Sequence, residues 1–150
     1  MRSIRVSVAL LLSSTFVFLA LGAFSPAEAG RRPIRELLLA PQAVVPGPGD
    51  PTAAGSFSWK SGHDGFCFQV SVAQLDGFVE QITLHRGAAG ARGTQVLRLS
   101  PSPIGINQLL GCAPADRALL REISGSPENF YVQVSTTGYP NGAMRGQLRQ

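Results

Sequence analysis

The end of the chain constrains the fold most, because residues 130–149 have the pattern of two strands joined by a tight turn. Apolar and polar side chains alternate over residues 130–136 and again over residues 144–149. Alternation with a period of two is typical of strands that are buried on one face. The segment between them contains Asn141-Gly142, a pair that favours the backbone angles of a hairpin turn. The sequence therefore predicts an antiparallel hairpin that closes the domain.

Further short strands are predicted along the chain, separated by loops rich in glycine and proline. The predicted strands span residues 34–39, 56–59, 66–73, 79–85 and 95–99, with loops or turns at 41–55, 60–65, 87–93 and 100–107. One helix is predicted at 116–123, with Asp116 as its N-cap and Ser124-Gly125 as its end. We interpret the segment 41–55 as a plain surface connection. Several short strands with frequent turns indicate an antiparallel sandwich or barrel.

The first 29 residues have the pattern of an export signal. Basic residues near the N-terminus precede an uncharged apolar run over residues 6–24, and Ala27-Glu28-Ala29 has the small-x-small form of a cleavage site. An uncleaved membrane anchor is the alternative, but polar residues and a glycine interrupt the run. We therefore expect a secreted, extracytoplasmic protein with a signal peptide at 1–29 and no membrane association after cleavage.

The distribution of charge along the chain argues against a nucleic-acid partner. The chain has 13 Lys and Arg against 9 Asp and Glu, and its basic residues are scattered apart from Arg31, Arg32 and Arg35 near the predicted mature N-terminus. A nucleic-acid-binding protein concentrates its positive charge on one face or in one run. We therefore expect no nucleic-acid partner.

The two cysteines, Cys67 and Cys112, favour one disulfide, because an even count in an exported protein indicates pairing. Free thiols or a metal pair are the alternatives, and no nearby His supports the metal pair. One conflict stays open. If Phe66 and Phe68 face the core, Cys67 points away from it, and either a bulge or a second covered face would resolve this.

Two motifs resemble the CHRD domain family, a module first described in chordin and also found in secreted bacterial proteins. The family usually ends Tyr-Val-Asn-Val-His-Thr, a Pro-Xaa-Gly turn and Arg-Gly-Gln-Leu, and here Tyr131–Thr136 precedes Pro140-Asn141-Gly142 and Arg145-Gly146-Gln147-Leu148. The family also reads Ala-His-Ile-His-Xaa-Gly where this chain has Ile82–Gly87. The resemblance covers about residues 45–148.

The resemblance implies a fold and a domain organisation. It implies an all-β, antiparallel Greek-key or immunoglobulin-like sandwich with one short helix. An N-terminal leader and first strand at 30–44 would precede a CHRD-like domain at 45–150. Family members from secreted bacterial proteins also carry a Cys early in one strand and a later Gly-Cys, which match Cys67 and Gly111-Cys112 and support the disulfide.

The departures from the family argue against a metal site. Two His at i and i+2 with a third on a neighbouring strand would suit copper or zinc, but Thr83 and Ser135 stand at two of these positions and His85 is alone. We expect no metal and no cofactor. We interpret Thr83, His85 and Ser135, with Gln133, as a neutral polar network. The competing interpretation is a degenerate metal-binding or redox sandwich distantly similar to copper–zinc superoxide dismutase.

No enzyme is expected either. Ser135 and His85 would form a dyad only if their strands were neighbours, and the chain has no Gly-x-Ser-x-Gly elbow. The loop from Gly87 to Gly93 lacks the Lys-Ser/Thr of a phosphate loop. For Arg145 we favour a structural use, pairing with a carboxylate or capping backbone carbonyls, over presentation of its guanidinium to an anionic ligand.

The function expected is that of a secreted, non-catalytic structural or protein-interaction module whose partner is an unidentified extracellular protein or surface. In chordin such domains belong to an extracellular antagonist of growth factors. An exposed aromatic patch around Tyr139, at the hairpin tip, would strengthen this hypothesis. The positions singled out by the family motifs are Thr83, His85, Gly87, Ser135, Arg145, Gly146 and Gln147.

Overall fold

The structure is a computed structural model that describes residues 34–100 and 107–150. The predicted signal peptide, the start of the leader and residues 101–106 of the predicted loop lie outside the described residues. Among the helices that are described, none has the length and hydropathy needed to cross a bilayer.

The described residues form two four-stranded antiparallel sheets, so the predicted all-β sandwich with one short helix is confirmed. The first sheet has the order β1-β2-β3-β6 and the second has the order β5-β4-β7-β8. The elements are β1 (Arg35–Leu39), β2 (Ala54–Gly62), β3 (Gly65–Ala73), β4 (Val79–Arg86), β5 (Thr94–Arg98), β6 (Gln108–Ala113), α1 (Arg117–Gly125), β7 (Phe130–Thr136) and β8 (Met144–Gln147), with 3₁₀ turns at Pro41–Ala43 and Pro127–Asn129.

The core lies between the inner faces of the two sheets, as the alternating patterns require. On β2 and β3 the inward aromatic side chains pack on one another, with 6.1 Å between the ring centroids of Phe57 and Phe68 and 5.7 Å between those of Trp59 and Phe66. The second sheet contributes Ile82, Leu84, Val132, Val134 and Met144, all of them buried.

Two elements differ from the sequence prediction. The β2–β3 turn was predicted at 60–65, but the strands continue and leave only His63-Asp64 as the turn. Ser61 pairs with Phe66 of β3, and its polar side chain can be buried there because its hydroxyl donates to the Leu120 carbonyl of α1. Strand β6 was not predicted, because its neighbouring leucines at 109 and 110 break the alternation. It forms by pairing with β3.

The disulfide between Cys67 and Cys112 is present, and the register explains its position. The two residues lie directly opposite each other on β3 and β6, with 3.9 Å between their Cα atoms. Both point to the outer face of the first sheet, where Cys112 is exposed. The conflict over Cys67 is therefore resolved by a cross-strand pair on the outer face, and neither a bulge nor a second covered face is needed.

The helix begins and is capped as predicted. The Asp116 side chain accepts a hydrogen bond from the backbone N–H of Leu119 at 2.8 Å, which satisfies one of the free donors of the first turn. Leu120 and Ile123 are buried against the core. The helix continues through Ser124 and Gly125, so these residues form its last turn.

Candidate functional site

The family-motif residues lie together on the outer face of the second sheet, which we call the motif face. It is formed by the outward side chains of three adjacent strands: Thr83 and His85 on β4, Tyr131 and Ser135 on β7, and Arg145 and Gln147 on β8. The strand register places His85 opposite Tyr131, and Tyr131 opposite Gln147. The loop 87–93, which follows β4, packs over this face.

Arg145 is the central residue of the motif face. Its side chain is buried, with 1% of the residue exposed, and the guanidinium carbon lies 3.4 Å from the centroid of the Tyr131 ring. The guanidinium donates to the carbonyls of Ala91 at 2.7 Å and Ala88 at 2.9 Å. Burial lowers the pKa of Arg145, and the electrostatic influence of Tyr131 opposes this. One structural use expected for Arg145, the capping of backbone carbonyls, is therefore what the structure shows.

Gln147 and Tyr131 hold the two ends of the same loop. The Gln147 side-chain amide donates to the carbonyl of Gly87 at 2.8 Å and to that of Glu128 at 2.7 Å. The Tyr131 hydroxyl accepts from the backbone N–H of Gly93 at 3.0 Å. Backbone groups that leave a sheet need such partners when they are covered, so these side chains fix the loop against the sheet.

Two close approaches explain glycines of the motifs. A Cβ on Gly87 would lie 3.1 Å from a ring carbon of Tyr131 and 3.0 Å from the Cα of Gly93, so the two ends of the loop could not stay this close. A Cβ on Gly146 would lie 2.2 Å from a methyl carbon of Leu37. The Gly146 position therefore lets β1 pack directly against β8.

His85 is half-buried, and its ring face and both ring nitrogens have partners. Its ring stacks on Tyr131 with 4.8 Å between centroids, Nε2 lies 2.9 Å from the Thr83 hydroxyl and Nδ1 lies 3.4 Å from the Gly93 carbonyl. With Nδ1 donating to that carbonyl, Nε2 accepts from Thr83. Burial lowers the pKa of His85, the bond to Gly93 opposes the shift and the charge of Arg145 adds to it. The imidazole is therefore neutral at pH 7.

The polar network predicted around His85 is smaller in the structure. Ser135 is 1% exposed and its hydroxyl has no hydrogen-bond partner, while the Gln133 amide donates to the carbonyl of Asn141. The predicted network is therefore correct for Thr83 and wrong for Ser135 and Gln133. Within residues 34–100 and 107–150, no group of three or more His, Cys, Asp or Glu side chains is arranged to hold a metal ion.

The interpretation of residues 41–55 as a plain surface connection is wrong at Asp50. This side chain is 1% exposed and accepts hydrogen bonds from Asp76 N–H at 2.6 Å, Thr52 N–H at 3.0 Å and the Thr52 hydroxyl at 2.7 Å. Burial alone would raise the pKa of Asp50, but these hydrogen bonds outweigh it and hold the pKa below its ordinary value. Asp50 therefore ties this loop to the β3–β4 connection.

The exposed apolar residues are not where the sequence placed them. Tyr139 is half-buried at the hairpin tip. The large exposed apolar side chains of the described residues are Ile34, Leu38, Phe78 and Leu110, between 69% and 80% exposed. Leu38 and Leu110 lie on the outer face of the first sheet, and Ile34 and Leu110 line one shallow cleft of about 160 Å³ on it.

Comparison with known proteins gives one match. The family model described as CHRD domain matches residues 36–148. The match begins at the second residue of β1 and extends to the residue after β8. No curated protein and no solved structure matches the chain.

Proposed function

The chain belongs to the CHRD domain family, and we propose that it is a secreted, non-catalytic module that binds an extracellular protein or surface. The observation that carries this proposal is the use of Arg145. Its guanidinium is buried against Tyr131 and bonded to two loop carbonyls, so the most strongly charged group of the motif face serves the loop and is not presented to a ligand.

The other motif side chains support a non-catalytic role in the same way. The Gln147 amide donates to two backbone carbonyls and its oxygen accepts from Arg145, and both nitrogens of His85 are engaged within the domain. The Ser135 hydroxyl has no hydrogen-bond partner, so it is not activated by His85 as a nucleophile would need to be. These polar side chains therefore stabilise the fold of the motif face.

Secretion is supported by two independent features. The N-terminal segment has the three parts of an export signal. The Cys67–Cys112 bridge lies at the surface with Cys112 exposed, and such bridges persist in oxidising compartments. We therefore propose that the protein acts outside the cytoplasm.

The outer face of the first sheet supports an interaction role. Leu38 is 80% exposed and Leu110 is 76% exposed, while between them lie small or polar side chains such as Ser56 and Ser58 on β2. We infer that these two leucines, which are separately exposed on one face, are contact points for a partner. The motif face, in contrast, is covered by the loop 87–93.

The first experiment measures export and metal content together. The full chain is expressed in a bacterial host, and the extracytoplasmic fraction is examined by intact mass spectrometry. We expect the mass of residues 30–150 with one disulfide. Elemental analysis of this protein and of a His85→Ala variant is expected to show no stoichiometric copper or zinc. Full-length protein in the cytoplasm would contradict secretion, and a stoichiometric metal that is lost with His85 would support the redox alternative.

The second experiment tests the interaction role. Fluorescently labelled protein is incubated with washed cells of the source organism, and bound fluorescence is measured. A Leu38→Ser, Leu110→Ser double variant is expected to bind less than the wild type. Phe78→Ser is the matched control, because Phe78 is 69% exposed and lies in the β3–β4 loop. Equal binding by all three proteins would refute the assignment of this face.

A further inference from the structure

A cleft lies between the end of the β2–β3 hairpin and α1, and we call it the hairpin–helix cleft. It has a volume of about 670 Å³ and is lined by Ser61, Gly62 and His63 on the hairpin side and by Ala115, Arg117, Leu120, Arg121, Ser124 and Gly125 on the other. Sites for small molecules have volumes of roughly 300–1,000 Å³. The cleft therefore has the size of a ligand site, and it is separate from the motif face.

The ionisable side chains that line the hairpin–helix cleft are all basic. Among the described residues that line it, His63, Arg117 and Arg121 are the titratable ones, and none is Asp or Glu. Both arginines are exposed. The ion pair found among the described residues joins Arg86 to Glu122. Neither arginine of the cleft therefore forms an ion pair with a described carboxylate. Unpaired guanidinium groups on a concave surface attract anions.

The two arginines are placed against the electrostatic preference of the helix. Arg117 is the first residue of α1, where the helix dipole disfavours a cation, and the first turn has no acidic residue. Arg121 is four residues later, so two like charges are neighbours on one side of the helix. Asp116, the N-cap, is engaged with the N–H of Leu119. A bound anion would relieve both repulsions.

The serine hydroxyls of the cleft have a structural role. Ser61 donates to the carbonyl of Leu120, and Ser61 and Ser124 are hydrogen-bonded to each other. Since Ser61 has one hydroxyl proton, Ser124 is the donor in that pair. Both protons are therefore used to join the hairpin to the helix, and the side-chain donors left for a ligand are those of Arg117, Arg121 and His63.

We propose that the hairpin–helix cleft binds a phosphate group, with Arg117 and Arg121 as its main ligands and His63 as a third donor. Guanidinium groups match phosphate oxygens with paired, charge-assisted hydrogen bonds, and two permanent cations suit a dianion. The cleft also has room for the organic part of a small phosphate ester. This inference goes beyond the interaction role, and it is tested on purified protein without a partner.

The test is a titration of ¹⁵N-labelled protein followed by two-dimensional NMR in buffer with physiological salt. Three probes are compared: inorganic phosphate, glycerol 3-phosphate and, as the neutral control, glycerol. We expect both phosphates to shift the amide signals of residues 61–63 and 117–125, and glycerol to leave them unchanged. Tighter binding of glycerol 3-phosphate would identify an ester as the source of the phosphate, and equal binding would identify the free ion.

Variants show whether the arginines are responsible. The Arg117→Gln, Arg121→Gln double variant is expected to bind phosphate about tenfold more weakly, because two exposed ion pairs that solvent screens are lost. Arg98→Gln is the matched control, since Arg98 is an exposed arginine on β5 away from the cleft, and we expect a change of less than twofold. Arg121→Gln alone is made in case the double variant does not fold.

Three results would overturn the proposal. Phosphate shifts that map outside the hairpin and the helix would place the site elsewhere. Equal weakening by Arg98→Gln would show general electrostatic attraction with no defined site. Signals of wild-type protein that do not move with either phosphate would show that the cleft does not bind this anion.

Discussion

Replacing Arg145 with methionine is expected to release the loop 87–93 and to destabilise the domain strongly. Methionine keeps most of the volume of the side chain but removes the guanidinium. The carbonyl of Ala91 then loses its side-chain donor, the carbonyl of Ala88 keeps only the backbone N–H of Ala91, and the ring of Tyr131 loses the cation that lies 3.4 Å from its centroid.

The expected loss follows from these contacts. Two hydrogen bonds from a charged donor contribute about 3 kcal/mol at the low end of their range. The cation–π contact contributes about 1 kcal/mol, as such contacts do when partly desolvated. Burial of the apolar methionine terminus in the same site returns about 1 kcal/mol, so the free energy of unfolding should fall by about 3 kcal/mol. For a domain of this size, that is a fall in Tm of about 12 °C.

Thermal and urea unfolding, followed by circular dichroism, measure this loss, and limited trypsin digestion reports on the loop. Arg92 lies in the loop and is exposed, so a released loop should be cut after Arg92 faster than the wild-type loop. Arg149→Met is the matched control, because Arg149 is exposed after β8, and we expect a change within about 0.5 kcal/mol. Arg145→Lys keeps the positive charge but lacks the planar set of donors of the guanidinium, so its stability should lie between those of the wild type and Arg145→Met.

Wild-type stability of Arg145→Met, within about 0.5 kcal/mol, would refute the assignment of Arg145 to the loop. A loss of stability without faster cleavage after Arg92 would refute it in another way. It would show that Arg145 supports the sheet itself and not the loop 87–93.

Three further predictions concern other parts of the domain. A Cys67→Ser, Cys112→Ser double variant should lose about 3–4 kcal/mol of unfolding free energy, because its unfolded chain is no longer cross-linked. Reductant should lower the urea midpoint of the wild type but leave that of the variant unchanged. Because the folded-state pKa of Asp50 lies below 3.8, the unfolded state binds more protons in acid, so the stabilisation from Asp50 is complete above that pH and is lost as pH falls through the folded pKa. In urea melts between about pH 2 and pH 6, Asp50→Asn should remove this pH dependence of stability, whereas Asp64→Asn, at an exposed residue, should not. Ser135→Ala removes a buried hydroxyl without a partner, so Tm should stay unchanged or rise by a few degrees, and a large fall would show an overlooked bond.

Most of the fold was predictable because its strands carry regular alternation. The strands β3 and β7 were predicted almost to the residue, since each alternates over its full length. Strand β6 was missed because Leu109-Leu110 and Gly111 break that pattern, and its position depends on backbone pairing with β3. The extension of β2 to Gly62 was missed for a similar reason, because the hydroxyl of Ser61 is satisfied by a helix far away in sequence.

The sequence predicted which residues form the site but not which groups they contact. The family motifs identified Arg145 and Gln147, but only the tertiary structure shows that their partners are carbonyls of the loop 87–93. Tyr131 was not singled out, although the ring contacts both Arg145 and His85. Asp50 was missed because a carboxylate between prolines and glycines is typical of solvated loops, and its burial depends on the distant N–H of Asp76.

The contacts of the motif face separate two roles that the sequence places side by side. The loop 87–93 is held by Arg145, Gln147 and the Tyr131 hydroxyl, which together satisfy four of its backbone groups. The two positions where Thr or Ser replaces an implied imidazole contribute much less: among the described residues the Thr83 hydroxyl bonds to His85, and the Ser135 hydroxyl has no partner. Since neither Thr83 nor Ser135 bonds to the loop, these two positions can hold Thr and Ser without loss of the fold. The loop-holding residues therefore account for the fold of this face, and any chemistry of the imidazole positions would be an addition to it.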